Sequence, residues 1–173
     1  MKTYLRLLAV VAVFVLAPSS VYAQTTASQT YTVVVPTSVS ITAPAAASLT
    51  HDQSDNPQAF PAQTWIVRGN SRNGMNVSFT SDSFIHTTDP TFKRNSRLDL
   101  TVGTTQGPAN WSVGVPTSSS NYGTSTPATV TATSTGVGRA TMNLVVSFLT
   151  EEYGSFAAGS YLATVVGTVA ANP

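Results

Sequence analysis

Apolar side chains recur at every second residue through much of this chain, and that period leaves few ways to bury them. In Met75-Asn-Val-Ser-Phe79, the apolar Met75, Val77 and Phe79 alternate with Asn76 and Ser78. Successive side chains of an extended chain point to opposite faces, so this spacing gives a β-strand one wet face and one dry face. Similar strand-rich runs occupy Tyr31–Val35, Val39–Ala43, Thr64–Arg68, Leu98–Val102, Trp111–Val115, Thr129–Thr133, Ala140–Leu149 and Gly159–Ala170. Helices built from Leu, Glu and Lys are absent, and only 9% of the chain is charged. The pattern predicts an all-β fold: a single antiparallel β-sandwich, Ig-like, with about nine strands.

Turn residues punctuate the runs. Asn73-Gly74, Gly107-Pro108 and Gly136-Val-Gly138 mark tight connections, and the first predicts a hairpin joining Thr64–Arg68 to Met75–Phe79. Pro36 cannot donate to a ladder, which makes Tyr31–Val35 an edge strand or a bend between sheets. Ala45–Leu49 adds a short strand. Val145 and Leu149 make both faces of Ala140–Leu149 partly apolar, which predicts a central position. Gly159–Ala170 closes the fold, with Tyr31–Val35 and Ala140–Leu149 as its expected partners. Ser81–Arg97 is irregular but holds Phe84, Ile85 and Phe92, so it is expected against the body. Pro116–Pro127 reads as a Ser/Thr/Gly-rich loop.

The first residues carry an export signal. Lys2 and Arg6 precede an apolar run over Leu7–Ala17, and Val21-Tyr-Ala23 is a small-x-small cleavage site. The run falls short of the roughly 20 apolar residues a membrane span needs. The expected organisation is a signal peptide over 1–23, a polar leader over 24–29 and one β-sandwich domain over 30–173. Export places the protein in the periplasm, outside the cell or at its surface, with no membrane span after cleavage. Lys2 and Arg6 leave with the signal, so six Lys and Arg face seven Asp and Glu. Near neutrality argues against nucleic acid or an anionic membrane as partner. With no cysteine, the domain depends on core packing.

Each group with chemical potential has a structural counterpart. His51-Asp52 and His86 could enter a Ser-His-Asp triad, but no Gly-x-Ser-x-Gly elbow accompanies them, and both are expected as solvated loop residues. Asp52, Asp55 and Asn56 could offer oxygens to calcium, yet their spacing lacks the recognisable calcium-loop pattern and fits Asx-turns. Glu151 and Glu152 are adjacent, so on a strand they would face opposite ways and could not form a glycosidase pair. Lys93, Arg94 and Arg97 form the basic cluster, expected to be solvated. No catalytic residue, metal or cofactor is expected. Trp65 and Trp111 lie in alternating strands and are expected in the core; as exposed aromatics, they, Tyr122 and Tyr153 are the candidate contacts for a carbohydrate or cell-wall polymer.

Gly159-Ser-Tyr161, followed by Ala163-Thr-Val165 and Gly167-Thr-Val169, resembles the last strand of spore-coat-U-type and fimbrial pilin-like domains. It is also similar to the end of WxL-type wall-binding domains. Gly167-Thr168-Val169 stands where the second Trp-x-Leu belongs, and Trp111-Ser112-Val113 where the first does. The second Trp is Gly here, both Leu are Val, and the cysteine pair of many pilin-like domains is absent. The resemblance implies a secreted surface module; its WxL side implies peptidoglycan binding. The expected function is therefore a non-enzymatic structural or interaction module at the cell surface, with other surface proteins, wall polymers or further copies of itself as partners.

Overall fold

The computed structural model describes residues 24–173; the export signal read in residues 1–23 lies outside the described residues. The chain divides into two units, Met1–Val34 and Val35–Pro173. In the first, residues 24–34 carry no strand and are exposed. The strand expected over Tyr31–Val35 is not formed. Tyr31 is 81% exposed, and Val33 and Val34 are each 85% exposed. Alternation gives a segment two faces, but a strand also needs a neighbour for its backbone groups, and here none pairs with it.

The regular structure of the second unit is all β. Its strands are β1 (Val39–Thr42), β2 (Gln58–Ala59), β3 (Gln63–Gly69), β4 (Met75–Ser81), β5 (Phe84–His86), β6 (Lys93–Arg94) and β7 (Ser96–Gln106). They continue as β8 (Trp111–Val115), β9 (Thr117–Ser119), β10 (Ala128–Ser134), β11 (Gly138–Phe148), β12 (Tyr161–Leu162) and β13 (Val165–Ala171). The largest sheet has the order β1-β3-β11-β7-β9, with β2 also on β11; a second is β13-β4-β10-β8 and a third β12-β5-β6. The pairings are antiparallel.

The two larger sheets contribute to one core. β3, β7 and β11 supply Trp65, Val67, Leu98, Leu100, Ala140, Met142 and Leu144, while β4 and β10 supply Val77, Phe79, Ala128, Val130 and Ala132. These are the dry-face positions of the alternating runs. Complete burial of a side chain such as Phe79 or Leu98 stabilises the fold by about 1.5–3 kcal/mol. Trp65 meets Phe79 edge-on, ring centres 5.1 Å apart.

Thirteen strands replace the expected nine: Tyr31–Val35 is lost, the closing run splits in two, and β2, β5, β6 and β9, each only two or three residues long, are added. Such pieces are too short for a period of two to stand out. Ala45–Leu49 forms no strand. The expected hairpin between Thr64–Arg68 and Met75–Phe79 does not occur: β3 pairs with β1 and β11, and β4 with β10 and β13. The Asn73-Gly74 turn instead carries the chain from one sheet to the other. The closing run splits at Ala163-Thr164, sending β12 to β5 and β13 to β4. Its expected partners are both corrected, since Tyr31–Val35 is unpaired and β11 is held between β3 and β7. The central position predicted for β11 is the one it occupies.

Gly167 shows how closely the core is filled. A Cβ there would lie 2.8 Å from Ile41 Cδ1, 2.9 Å from Trp65 Cζ3 and 3.2 Å from Phe79 Cε1. Even a methyl group must displace a packed ring. Gly167→Ala should destabilise the protein by about 1–3 kcal/mol, the usual cost of overpacking. Gly136→Ala, whose Cβ would find only Arg72 O at 3.6 Å, should change stability by less than about 0.5 kcal/mol. Urea unfolding of both variants measures the contrast.

Candidate functional site

Two places outside the central core gather chemically capable side chains. The first is an aromatic cluster built from the end of β11, the third sheet, the Thr150–Ser160 loop and the loop after Leu49. Phe148 ends β11 and packs against Phe84 at 5.3 Å, Phe156 at 5.6 Å, Tyr161 at 5.5 Å and His51 at 5.8 Å between ring centres. Tyr153 stacks on His51 at 5.6 Å and 22°. His86 meets Tyr161 edge-on at 5.0 Å. Both histidines were expected in solvent, but His86 is buried in β5 and His51 is half-buried. The aromatic residues around His51 are distant in sequence, as is Tyr161 beside His86, while Phe92, six residues on, also packs against His86.

Hydrogen bonds fix the state of both imidazoles. Gln53 N–H donates to His51 Nδ1 at 2.9 Å, so the ring proton sits on Nε2 and is donated to Thr150 Oγ1 at 2.9 Å. Thr150 Oγ1 in turn donates to Asn56 O at 2.8 Å. In His86, Nδ1 accepts from Asp89 N–H at 3.0 Å, leaving Nε2 to donate to Ala158 O at 3.2 Å. The His51–Thr150 pair brings a hydroxyl to an imidazole, but its proton flow is wrong for catalysis. The nitrogen facing the hydroxyl already carries a proton, no carboxylate orients the ring, and Thr150 is fully buried.

Arg94 was expected as a solvated cation and is instead buried. Its guanidinium lies 4.7 Å from the Phe156 ring centre, donates to Lys93 O at 3.1 Å and bonds Ser155 Oγ. Its Nε has no protein partner. Burial raises the Tyr161 hydroxyl pKa, against the opposing effects of Arg94 and of the bond to Ala157 O. Glu151 and Glu152 occupy the loop rather than a strand.

The loop over residues 50–57 forms the Asx-turns its composition predicts. Asp52 Oδ1 accepts from Ser54 N–H at 2.9 Å, Ser54 Oγ at 2.7 Å and Gln58 Nε2 at 2.7 Å. Asp55 Oδ1 accepts from Tyr153 N–H at 2.7 Å, joining this loop to the Thr150–Ser160 loop. No group of three or more His, Asp or Glu side chains among the described residues is arranged to hold a metal ion.

The second place is a cleft of about 250 Å³ lined by Asp82, Ser83, Ile85, Lys93, Tyr122, Ser125 and Thr126. One wall is a tight loop closed by reciprocal backbone bonds between Asn121 and Thr126, at 2.8 and 3.0 Å. Asn95 Oδ1 accepts from Tyr122 N–H at 2.8 Å and fixes the backbone that presents the ring. Among the described residues the one ion pair is Arg97–Asp99, so the Asp82 and Lys93 charges are not paired with each other.

The four candidate ligand contacts do not meet in one site. Trp65 is 8% exposed and belongs to the core. Trp111 is half-buried against that core, with a buried Nε1 that has no protein partner. Tyr122 is 38% exposed in the cleft, and Tyr153 is 45% exposed on His51. Sequence reasoning missed Asp82, Lys93 and Asn95 as companions of Tyr122. The only local signal was the polar loop around Asn121-Tyr122-Gly123. No protein family, curated protein or solved structure matches the chain. No helix among the described residues is long and apolar enough to cross a membrane.

The turn bonds to Asp52 have a consequence for pH. Hydrogen bonds from the Ser54 side chain and backbone, with smaller contributions from Gln58 and the electrostatic effect of His51, hold its carboxyl below the usual aspartate range; desolvation opposes them. A depressed folded-state value stabilises the folded form above the unfolded value, and that gain is lost as pH falls through the folded value. Carboxyl-carbon NMR should show Asp52 titrating below free aspartate, and Ser54→Ala should move it back upward.

Proposed function

We propose that the protein is an exported, non-enzymatic structural module of the cell surface, an Ig-like β-sandwich that joins further copies of itself by strand addition. The observation that carries this reading is Tyr31-Thr-Val-Val-Val35: an uncharged, β-branched segment that pairs with no strand of its own chain, with Tyr31, Val33 and Val34 more than 80% exposed. Such a segment can pair with an unprotected sheet edge, where main-chain hydrogen bonds give affinity and alternate side chains give specificity. β13 provides such an edge. Val165–Ala171 contains no charge or proline, ends its sheet, and leaves Val166 59% exposed. The spore-coat-U and pilin-like resemblance of the closing strand agrees with this reading.

The mature chain, residues 24–173, should self-associate with rising concentration in multi-angle light scattering. Val33→Lys with Val35→Lys should leave a folded monomer, since charges on an added strand oppose edge pairing. A wild-type chain that stays monomeric, or a double variant that assembles equally well, would overturn the reading.

A second reading, binding of a carbohydrate or cell-wall polymer, is favoured by the Tyr122 cleft. A hydroxyl can donate to the Asp82 carboxylate or accept from the Lys93 ammonium, and a sugar ring offers several beside an apolar face suited to Tyr122. Titration with neutral polysaccharides should detect binding that Tyr122→Ala weakens about tenfold. Equal binding by the variant would remove Tyr122 as the contact.

A further inference from the structure

We propose that His51 and His86 together form an acid-released clip on the Thr150–Ser160 loop. The two rings reach this loop at opposite ends, through Nε2 bonds to Thr150 Oγ1 at 2.9 Å and to Ala158 O at 3.2 Å. Each Nδ1 is anchored on the other side by a backbone N–H, from Gln53 at 2.9 Å and Asp89 at 3.0 Å. Each imidazole therefore works as a rigid two-ended link. One end must accept a proton donor, and only the neutral ring can do so.

Protonation places N–H against N–H at Nδ1. A backbone amide cannot become an acceptor, so the ring must move, and its rigid geometry takes Nε2 away from the loop. His86 has little room for that movement. A Cβ on Gly159 would lie 2.1 Å from His86 Nε2, which places the loop backbone directly against the ring. Thr88 adds two longer contacts to His86 Nδ1, from N at 3.4 Å and Oγ1 at 3.3 Å. Displacing either ring also disturbs its aromatic contacts, Tyr153 and Phe156 on His51 and Tyr161 on His86. Release of the loop opens the cluster around Phe148 and Phe156.

The charged neighbours determine what acid can change. Asp52 faces His51, and Asp55 binds the Tyr153 backbone beside it; Asp89 faces His86, and Arg94 lies over the Phe156 ring that meets Tyr161. Asp52 and Asp89 are capped by their own turns, which hold both carboxyls below the usual range. They stay ionised over the range in which an imidazole can gain a second proton. The Nδ1 bonds make that second proton incompatible with the closed loop. The sign follows: closure is present near neutrality and lost as pH falls.

Hydrogen exchange on the mature chain, residues 24–173, tests this at pH 7.5 and 5.0. After correction for intrinsic exchange, amides between Thr150 and Ser160 should open roughly tenfold more at pH 5.0, the scale of one lost hydrogen bond. No excess opening would overturn the clip. In His51→Asn with His86→Asn, a side-chain oxygen can accept near the Nδ1 position without titrating, so the pH-dependent excess should vanish; its persistence would also overturn the proposal. If the double variant does not fold, wild-type imidazole nitrogen NMR decides. Both rings should carry their proton on Nε2 at pH 7.5, with loop amide shifts tracking their titration. Loop amides indifferent to that titration would sink the idea.

Discussion

The contact on which the fold depends is Trp65 against Phe79, with Gly167 at the point where the rings leave no further space. Trp65 belongs to β3 in one sheet, Phe79 to β4 in the other, and Gly167 is paired with Phe79. An aromatic pair of this kind adds about 0.5–1.5 kcal/mol beyond its area burial, with geometry that sets how the layers approach. Gly167 is thus part of the packing, and its missing side chain is filled by Trp65. A larger residue at this place in the closing strand would have no room, because Trp65 and Ile41 already occupy the space.

Burial at the other end of the molecule is of a different kind. The rings around Phe148 come from strand ends and loops, and polar groups are enclosed with them: His86, Arg94, Thr150 and Ser147. Neutral tautomers and specific hydrogen bonds are what make most of this burial affordable, while Arg94 Nε and Ser147 Oγ remain without protein partners. Leaving a buried polar atom unsatisfied costs about 1–3 kcal/mol. This end consequently depends on local chemistry more than the central core does. A change of charge acts directly on it, whereas Trp65 and Phe79 have nothing to titrate.

Much of the fold was legible from periodicity. β8 occupies Trp111–Val115 as read, and Met75, Val77 and Phe79 all face the core. Pairing was far less legible, because alternation assigns a residue to a face without naming the strand beside it. Asn73-Gly74 looks locally like a hairpin turn, yet whole-sheet packing uses it to change sheets. Arg94 and His86 show the same limit for burial. Part of the enclosure of each comes from the Ser155–Tyr161 segment, which returns from far along the chain. Tyr122 was visible as an aromatic in a turn, but Asp82, Lys93 and Asn95 become its companions through tertiary folding.

The scarcity of charge links this architecture to the assembly reading. Proteins commonly guard sheet edges with lysine, proline or bulges, because unpaired backbone groups recruit other strands. β13 has no such guard, and Tyr31–Val35 provides a segment of matching character. A protein selected only to remain a dispersed monomer would gain from a lysine at Val166, which is more exposed than buried. The exposed valine therefore has more physical sense in a chain whose edges meet one another. The same uncharged composition also suits an exported module, since it leaves little long-range repulsion between neighbouring copies.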